Sequence, residues 1–155
     1  MQHMVPAQDA GFRVRAATSS DLPSVIELDR DITGLAKPEY WNDLFDRYVN
    51  RGRNRFFFVA ETDDALVGYI IGEVRAWEFG SPPCGWIFGV TVKPGTRLGR
   101  IGTTLFEAIT TRFREAGVGK VRTMIARDNT LLMSFFRSQG MMAGPFIELE
   151  MDLDE

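Results

Sequence analysis

The stretch VKPGTRLGRIGTTL, residues 92–105, sets Arg97, Gly99, Arg100 and Gly102 between an apolar run and a helical pattern. Glycine loses more freedom on folding than any other residue and adds nothing to a core. Gly99 and Gly102 imply that something approaches the backbone closely. The arginines indicate an anion, because a guanidinium makes charge-assisted bonds to phosphate. The start of a helix adds unpaired N–H groups and the positive end of the helix dipole. Neither Gly-x-Gly-x-x-Gly nor the Gly-Lys-Ser/Thr of a Walker loop is present, so the common nucleotide loops fit poorly. An ordinary turn with solvated arginines is the plain alternative.

Other reactive residue types are scarce. Cys84 is the only cysteine, which excludes an internal disulfide and a cysteine zinc site. His3 is the only histidine and lies in a polar start. Histidine catalysis and metal binding are therefore not expected. Of the 18 basic residues 15 are arginine, yet the net charge is −3, so charge gives no reason to expect nucleic acid. No apolar run approaches a membrane span and no secretory signal opens the chain, which leads to an expectation of a cytoplasmic protein with no membrane partner.

The elements that must position the stretch follow from periodicity. At 155 residues the chain fits one domain, expected over 11–155 with residues 1–10 loose. FRVRAA alternates with period two and predicts a strand from Phe12 to about Ala16. TSSDLPSVIELD supplies a hydroxyl cap, an acid and a first-turn proline, the signs of a helix start. Trp41, Leu44, Phe45 and Tyr48 predict a second helix over about 38–50. RFFFVAE, ALVGYIIGEVRAW and GWIFGVTVK read as three strands, the first two joined by a tight TDD turn. Ile101, Leu105, Ala108, Ile109, Phe113 and Ala116 line one helical face that ends at Gly117. KVRTMIA predicts a strand, DNTLLMSFFRSQG a helix, and FIELEMDL a closing strand. The order implies an α/β or α+β sheet covered by helices.

In VTVKPGTRLGRIGTTLFEAI the residues resemble the coenzyme A loop of the GNAT superfamily of N-acetyltransferases, whose pattern is Arg/Gln-x-x-Gly-x-Gly/Ala after a strand. Arg97 matches the first position and Gly102 the last, while Arg100 stands where the family usually has glycine. FRVRAATSSDLPSVIELD is similar to the family's opening strand and helix. ARDNTLLMSFFRSQGM resembles a later segment: Asn129, Phe135 and Gly140 match, Leu132 replaces alanine and Met141 replaces phenylalanine. The likeness covers about residues 12–152.

The resemblance implies a mixed, mostly antiparallel central sheet, splayed between the fourth and fifth strands, with helices on both faces. It implies acetyl-CoA as cosubstrate and no metal. Val90, Thr91 and Val92 would face the pantetheine arm. Arg97, Leu98, Gly99, Arg100, Ile101, Gly102 and Thr103 would hold the diphosphate, and Asn129, Phe135 and Phe136 would complete the cofactor site. An ordinary helix-cap asparagine is the other reading of Asn129. The Val90 N–H would stabilise the oxyanion of direct acetyl transfer to a primary amine, of a small molecule or a protein.

Two family features are missing. CGWIFGVTV holds no acid where the fourth strand often carries the base, and Phe136 replaces the tyrosine that commonly protonates the thiolate. Glu73, on the neighbouring strand, is the candidate base; a solvent-facing strand glutamate is the other reading. Cys84 reads as a core residue or an acyl-accepting nucleophile. Asp29, Asp31 and Glu39, near Tyr40 and Trp41, read as an acidic aromatic acceptor site or as exposed acids. A non-catalytic acyl-CoA-binding or regulatory domain is the rival function, and a nucleotide-binding module a third. The short stretch between Met141 and the last strand suggests a homodimer in which a partner covers the acceptor side.

Overall fold

The alternating FRVRAA run forms β1 (Arg13–Ala16), and a 3₁₀ turn leads from it into α1 (Leu22–Thr33). Next come α2 (Pro38–Phe45), a π-helical turn (Asp46–Asn50), β2 (Arg55–Glu61), β3 (Leu66–Arg75), β4 (Cys84–Val92), α3 (Leu98–Glu115), β5 (Val121–Thr123) and α4 (Thr130–Ser138). The structure, a computed structural model, describes residues 11–50, 53–96 and 98–154. They fall into two units, one ending at Met124 and the other spanning Ile125–Glu155.

In the first unit the sheet order is β1-β2-β3-β4-β5. β1 to β4 pair antiparallel, and β4 pairs β5 in parallel. Parallel neighbours need a long crossover, which α3 supplies. Local chemistry sets the element ends. The Thr18 N–H donates to Asp21 Oδ2 at 2.8 Å ahead of α1, and Gly34, at φ 79°, takes the left-handed conformation that ends it. The expected helix over 38–50 stays helical, but its last five residues widen to π geometry, a form that occurs often at functional sites. The TDD turn closes with the Thr62 N–H donating to the Ala65 carbonyl at 2.8 Å.

The two faces of the sheet are packed differently. On one, Val25 and Leu28 of α1, Trp41, Leu44 and Phe45 of α2, and Tyr48 pack on Phe57, Val59, Tyr69 and Ile71. On the other, the α3 stripe lies over a track of small residues. A Cβ on Gly68 would stand 3.4 Å from Leu105 and 3.5 Å from Ile101; one on Gly72 would stand 3.0 Å from Ile109. A Cβ on Gly85 would be 2.6 Å from the Phe113 ring. Glycine is required at these three positions because a Cβ would press on the β4 backbone at Gly68 and Gly72, 2.9 Å from the Thr91 carbonyl and 2.5 Å from the Trp86 carbonyl, and on the Phe113 ring of α3 at Gly85.

In the second unit α4 starts at Asn129, whose Oδ1 accepts from the Leu132 N–H at 3.1 Å. The FIELEMDL run, expected as a closing strand, forms no strand. Alternation is a local signal, whereas a strand exists only where a second one pairs with it. No described helix is long and apolar enough to cross a membrane.

Candidate functional site

β4 and β5 form a fork. They pair only from Gly85–Val121 to Ile87–Thr123, and the Thr123 hydroxyl donates to the Ile87 carbonyl at 2.8 Å where they part. β4 then runs on to Val92 with β3 on one side and, among the described residues, no strand on the other. Phe88 is the extra residue of a bulge, since Ile71 faces Gly89 while Gly72 faces Ile87. Bulges bend and twist a strand, and this one sits at the mouth of the fork.

The direction of the free backbone groups follows from one bond. The Lys93 N–H donates to the Val67 carbonyl at 2.7 Å. In an antiparallel ladder the orientation alternates, so Thr91 and Gly89 turn their N–H and C=O toward β3. Val90 and Val92 turn theirs to the unpaired edge. That edge spans five residues from Phe88 to Val92, roughly 16 Å at strand rise.

The start of α3 converges on the same end of β4. Ile101 and Leu105 cover Gly68, which pairs with Val92. The helix already begins at Leu98, so Gly99, Arg100, Ile101, Gly102 and Thr103 lie in its first two turns. Arg97 lies outside the described residues. Gly99 is exposed, with nothing within 4 Å of where a Cβ would be. It weakens the helix without a packing return, and the space above it is open. Arg100 is not among the residues with positive φ; its backbone is ordinary helix, and the Thr104 hydroxyl donates to its carbonyl at 2.9 Å. Its side chain is exposed, with no carboxylate partner among the described residues. The departure from glycine is thus sterically free.

Glu73 is neither solvent-facing nor isolated. Its side chain is 18% exposed, with Arg55 Nε 3.7 Å from Oε1 and Arg75 Nε 3.7 Å from Oε2. Tyr48, from the π turn, donates to Oε1 at 2.7 Å. Burial, then the hydrogen bond to Glu73, raise the Tyr48 phenol well above its usual range, so it stays a donor. Phe88 stacks edge-on against Tyr48, with centroids 5.5 Å apart. Glu73 pairs with Trp86, three residues along β3 from Ile70, the partner of Val90, a separation of about 10 Å.

On the same face, Asp29 is buried and already engaged. It accepts from Trp41 Nε1 at 3.0 Å and pairs with Lys37 at 3.0 Å. It belongs to the packing of α1 on α2, which leaves Asp31, Glu39 and Tyr40 as the exposed members of the expected acceptor cluster. Cys84 is buried, with Arg122 Nη1 at 3.5 Å from its sulfur, as a core residue would be. Tyr69, opposite Thr91 on β4, has its phenol pushed up to about 12 by burial, with Thr91 opposing. Sequence reasoning missed Tyr48 and Tyr69 as polar groups. The available sign for Tyr69 was a lone hydroxyl in the apolar run of β3.

Asn129, Phe135 and Phe136 lie in the second unit. Asn129 caps α4, Phe136 is buried, and the Phe135 and Phe136 rings meet edge-on at 5.2 Å.

Residues 22–141 match the model of the acetyltransferase (GNAT) family. No curated protein matches the sequence significantly. Among solved structures the chain resembles the aminoglycoside N-acetyltransferase AAC(6')-Iy in complex with CoA, at TM-score 0.81 and 14% identity over 92% of this chain and 95% of that one. It also resembles the aminoglycoside acetyltransferase meta-AAC0020 from an uncultured soil metagenomic sample, in complex with sisomicin, at TM-score 0.73 and 19% identity over 94% and 99% of the two chains. A transcriptional regulator from Bacillus halodurans C-125 matches at TM-score 0.77 and 19% identity, over 92% and 99%. These likenesses give the fold: a mixed five-stranded sheet with helices around it, forked between β4 and β5. The match to the family model covers more than half of the sequence, and the chain belongs to the acetyltransferase (GNAT) family.

Proposed function

We propose that this chain is an acetyl-CoA-dependent N-acetyltransferase that acts on a primary amine. The observation that carries the reading is the convergence of two groups of donors. The edge of β4 at Val90 and Val92 meets the start of α3, with Gly99 open and Arg100 without a carboxylate partner among the described residues. An extended amide-bearing arm can pair with a strand edge as a peptide does, and a diphosphate suits a helix N-terminus. CoA carries both, its diphosphate joined directly to the pantetheine arm. In this reading Leu98, Gly99, Arg100, Ile101, Gly102 and Thr103 cradle the diphosphate, with Arg97 before them. Thr91 belongs to the strand that the arm follows.

The chemistry then assigns few roles. The amine nitrogen attacks the thioester carbonyl carbon, forming the C–N bond. Charge moves to the carbonyl oxygen, which the Val90 N–H receives. Collapse breaks the C–S bond and releases the CoA thiolate. An alkyl ammonium has a pKa near 10.4, so a proton must leave before attack. Glu73 takes that proton through water, because about 10 Å of strand separates it from the Val90 pair. Tyr48 holds the carboxylate in place as a positioning residue. With Phe136 unable to donate, the proton shed by the amine returns through water to the thiolate.

Aminoglycoside acetyltransferases among the structural relatives make small polyamines the first acceptors to try, with peptide amines beside them. The test is turnover of acetyl-CoA against such a panel, followed by free thiol and by the mass of the product. Acceptor-dependent CoA release with a mass gain of one acetyl group supports the reading. The absence of CoA binding refutes it. The rival, a non-catalytic CoA-binding domain, is favoured by one observation: Phe136 stands where a proton donor is usual. Tight CoA binding with no acceptor-dependent release across the panel would establish it.

A further inference from the structure

The loop between β3 and β4 holds two aromatic residues where the backbone favours glycine. Trp77 and Phe79 have φ of 69° and 57°, a region in which a bulky residue is a genuine outlier. Burial does not compensate them, since Trp77 is 71% exposed and Phe79 76%. The loop is nevertheless fixed. The Trp77 N–H donates to the Ser81 carbonyl at 2.8 Å, and the Ser81 N–H donates to the Glu78 carbonyl at 3.1 Å. Ser81 is buried, and its hydroxyl accepts from Arg122 of β5 at 2.8 Å. Backbone strain that packing does not reward is kept where a function uses it.

The same loop is tied to Glu73. Arg75 Nε lies 2.7 Å from Glu78 Oε1 and 3.7 Å from Glu73 Oε2. One guanidinium thus bridges the candidate base and the residue between the two aromatics. Aromatic groups also surround Glu73 itself. Tyr48 donates to it. Trp86 stands directly opposite on β4 and so shares its face, half-buried. Phe88, 44% exposed, meets the Tyr48 ring edge-on. The cations at this end of the sheet are guanidinium groups: Arg55, 3.7 Å from Glu73 Oε1, Arg75, and Arg47, 5.4 Å from the Tyr48 ring centre. A substrate with several ammonium groups would meet like charge there, whereas an apolar ring would not.

We infer that the acceptor is a single primary amine carried on an aromatic body, and that Trp77 selects it by stacking on that body. The inference rests on the acetyl-transfer reading above and names its substrate class. With its amine at the water beside Glu73, an acceptor of this kind directs its ring past Arg75 to the loop. An indole face receives a ring there, offset or edge-on. Glycine at position 77 would relax the backbone and leave nothing to receive the acceptor. That opposition between stability and recognition is what separates a selecting residue from a merely structural one.

The experiment is steady-state turnover of acetyl-CoA by the full chain with 2-phenylethylamine, ethylamine and spermidine, beside calorimetric titration with CoA. The expected kcat/KM for 2-phenylethylamine exceeds those for the other two amines by at least about tenfold, the scale of a stacked ring. Trp77→Ala should raise the KM for 2-phenylethylamine about tenfold with kcat and CoA affinity little changed, and Trp77→Phe should recover most of the loss. Trp77→Gly should raise KM as alanine does. Its melting temperature should equal or exceed the parent's, because glycine adopts a φ of 69° without strain. If the alanine variant fails to fold, the glycine variant decides. Equal kcat/KM for 2-phenylethylamine and ethylamine, or an unchanged KM in the variants, overturns the inference and leaves acetyl transfer standing. CoA binding without turnover of 2-phenylethylamine overturns it as well. Absence of CoA binding removes the acetyl-transfer reading and the inference together.

Discussion

Replacing Arg100 by alanine separates a binding role from a structural one. Arg100 is the third residue of α3, exposed, helical in backbone, and without a carboxylate partner among the described residues. Alanine is a slightly better helix former than arginine, so apo stability should change by less than about 0.5 kcal/mol. The melting temperature should then move by no more than about 2 °C in a chain of this size. Binding should respond differently. A hydrogen bond to a charged group is worth about 1.5–3 kcal/mol net. Exposure and salt reduce that at a helix start, where fields fade over about 8 Å. A loss of about 1–2 kcal/mol remains, or roughly 5–30-fold in CoA affinity. Calorimetric titration of both chains with CoA and with pantetheine is the assay. Pantetheine has no diphosphate, so its affinity should be unchanged, and added salt should narrow the difference for CoA. Equal CoA affinity in the two chains, or equal losses for both ligands, would refute the placement of the diphosphate at Arg100.

Glu73→Gln should lower turnover by about 10²-fold, the usual scale of general-base catalysis, while leaving CoA affinity unchanged; unaltered turnover between pH 6 and 9 removes Glu73 from the reaction. Gly85→Ala should destabilise the chain by about 1–3 kcal/mol, because the new Cβ would stand 2.6 Å from the Phe113 ring, and Phe113→Leu in the same chain should recover part of the loss in a thermal melt. Acid should unfold the chain partly through Arg15. Hydrogen bonds from Arg15 hold the Glu61 carboxyl below its usual range; at Asp21 burial is the largest single effect and acts upward, but the hydrogen bonds from Arg15 and Thr18 and the charge of Arg15 together outweigh it and lower the carboxyl. The stability these depressed carboxyls contribute is present above the unfolded value of about 4 and is lost as pH falls through the folded ones. Arg15→Ala should therefore flatten the fall in melting temperature below about pH 4, relative to the parent; parallel curves would show that this cluster is not responsible.

What could be read from the sequence depended on how local its cause was. RFFFVAE became β2 over Arg55–Glu61 without a residue's error, because β-branched and aromatic residues fill it and a three-residue turn closes it. The long stripe from Ile101 to Phe113 fixed α3 for the same reason. The bulge at Phe88 was not visible, since a bulge is defined by counting residues against a partner strand. The Tyr48–Glu73 bond joins residues 25 positions apart, and no spacing along the chain announces it. Glu73 stands out in the sequence only by elimination among strand acids, and its setting between two arginines comes only with the fold. The closing strand failed in the opposite way: its alternation is plain, and its pairing lies beyond the reach of local pattern. Asp29 failed because burial against Trp41 is set by how two helices meet, and a sequence shows only that an acid is present.

The glycines beneath α3 fix more than a packing distance. Gly68, Gly72 and Gly85 let the helix settle at one lengthwise position, since a shift of one turn would lay Ile101 or Phe113 over different neighbours. The start of α3 is thereby indexed to the end of β4 from one face of the sheet. The aromatic cluster with α1 and α2 lies on the other face and takes no part in that alignment. Substitutions that reshape the α1–α2 side can therefore be absorbed there without moving the start of α3 away from the end of β4.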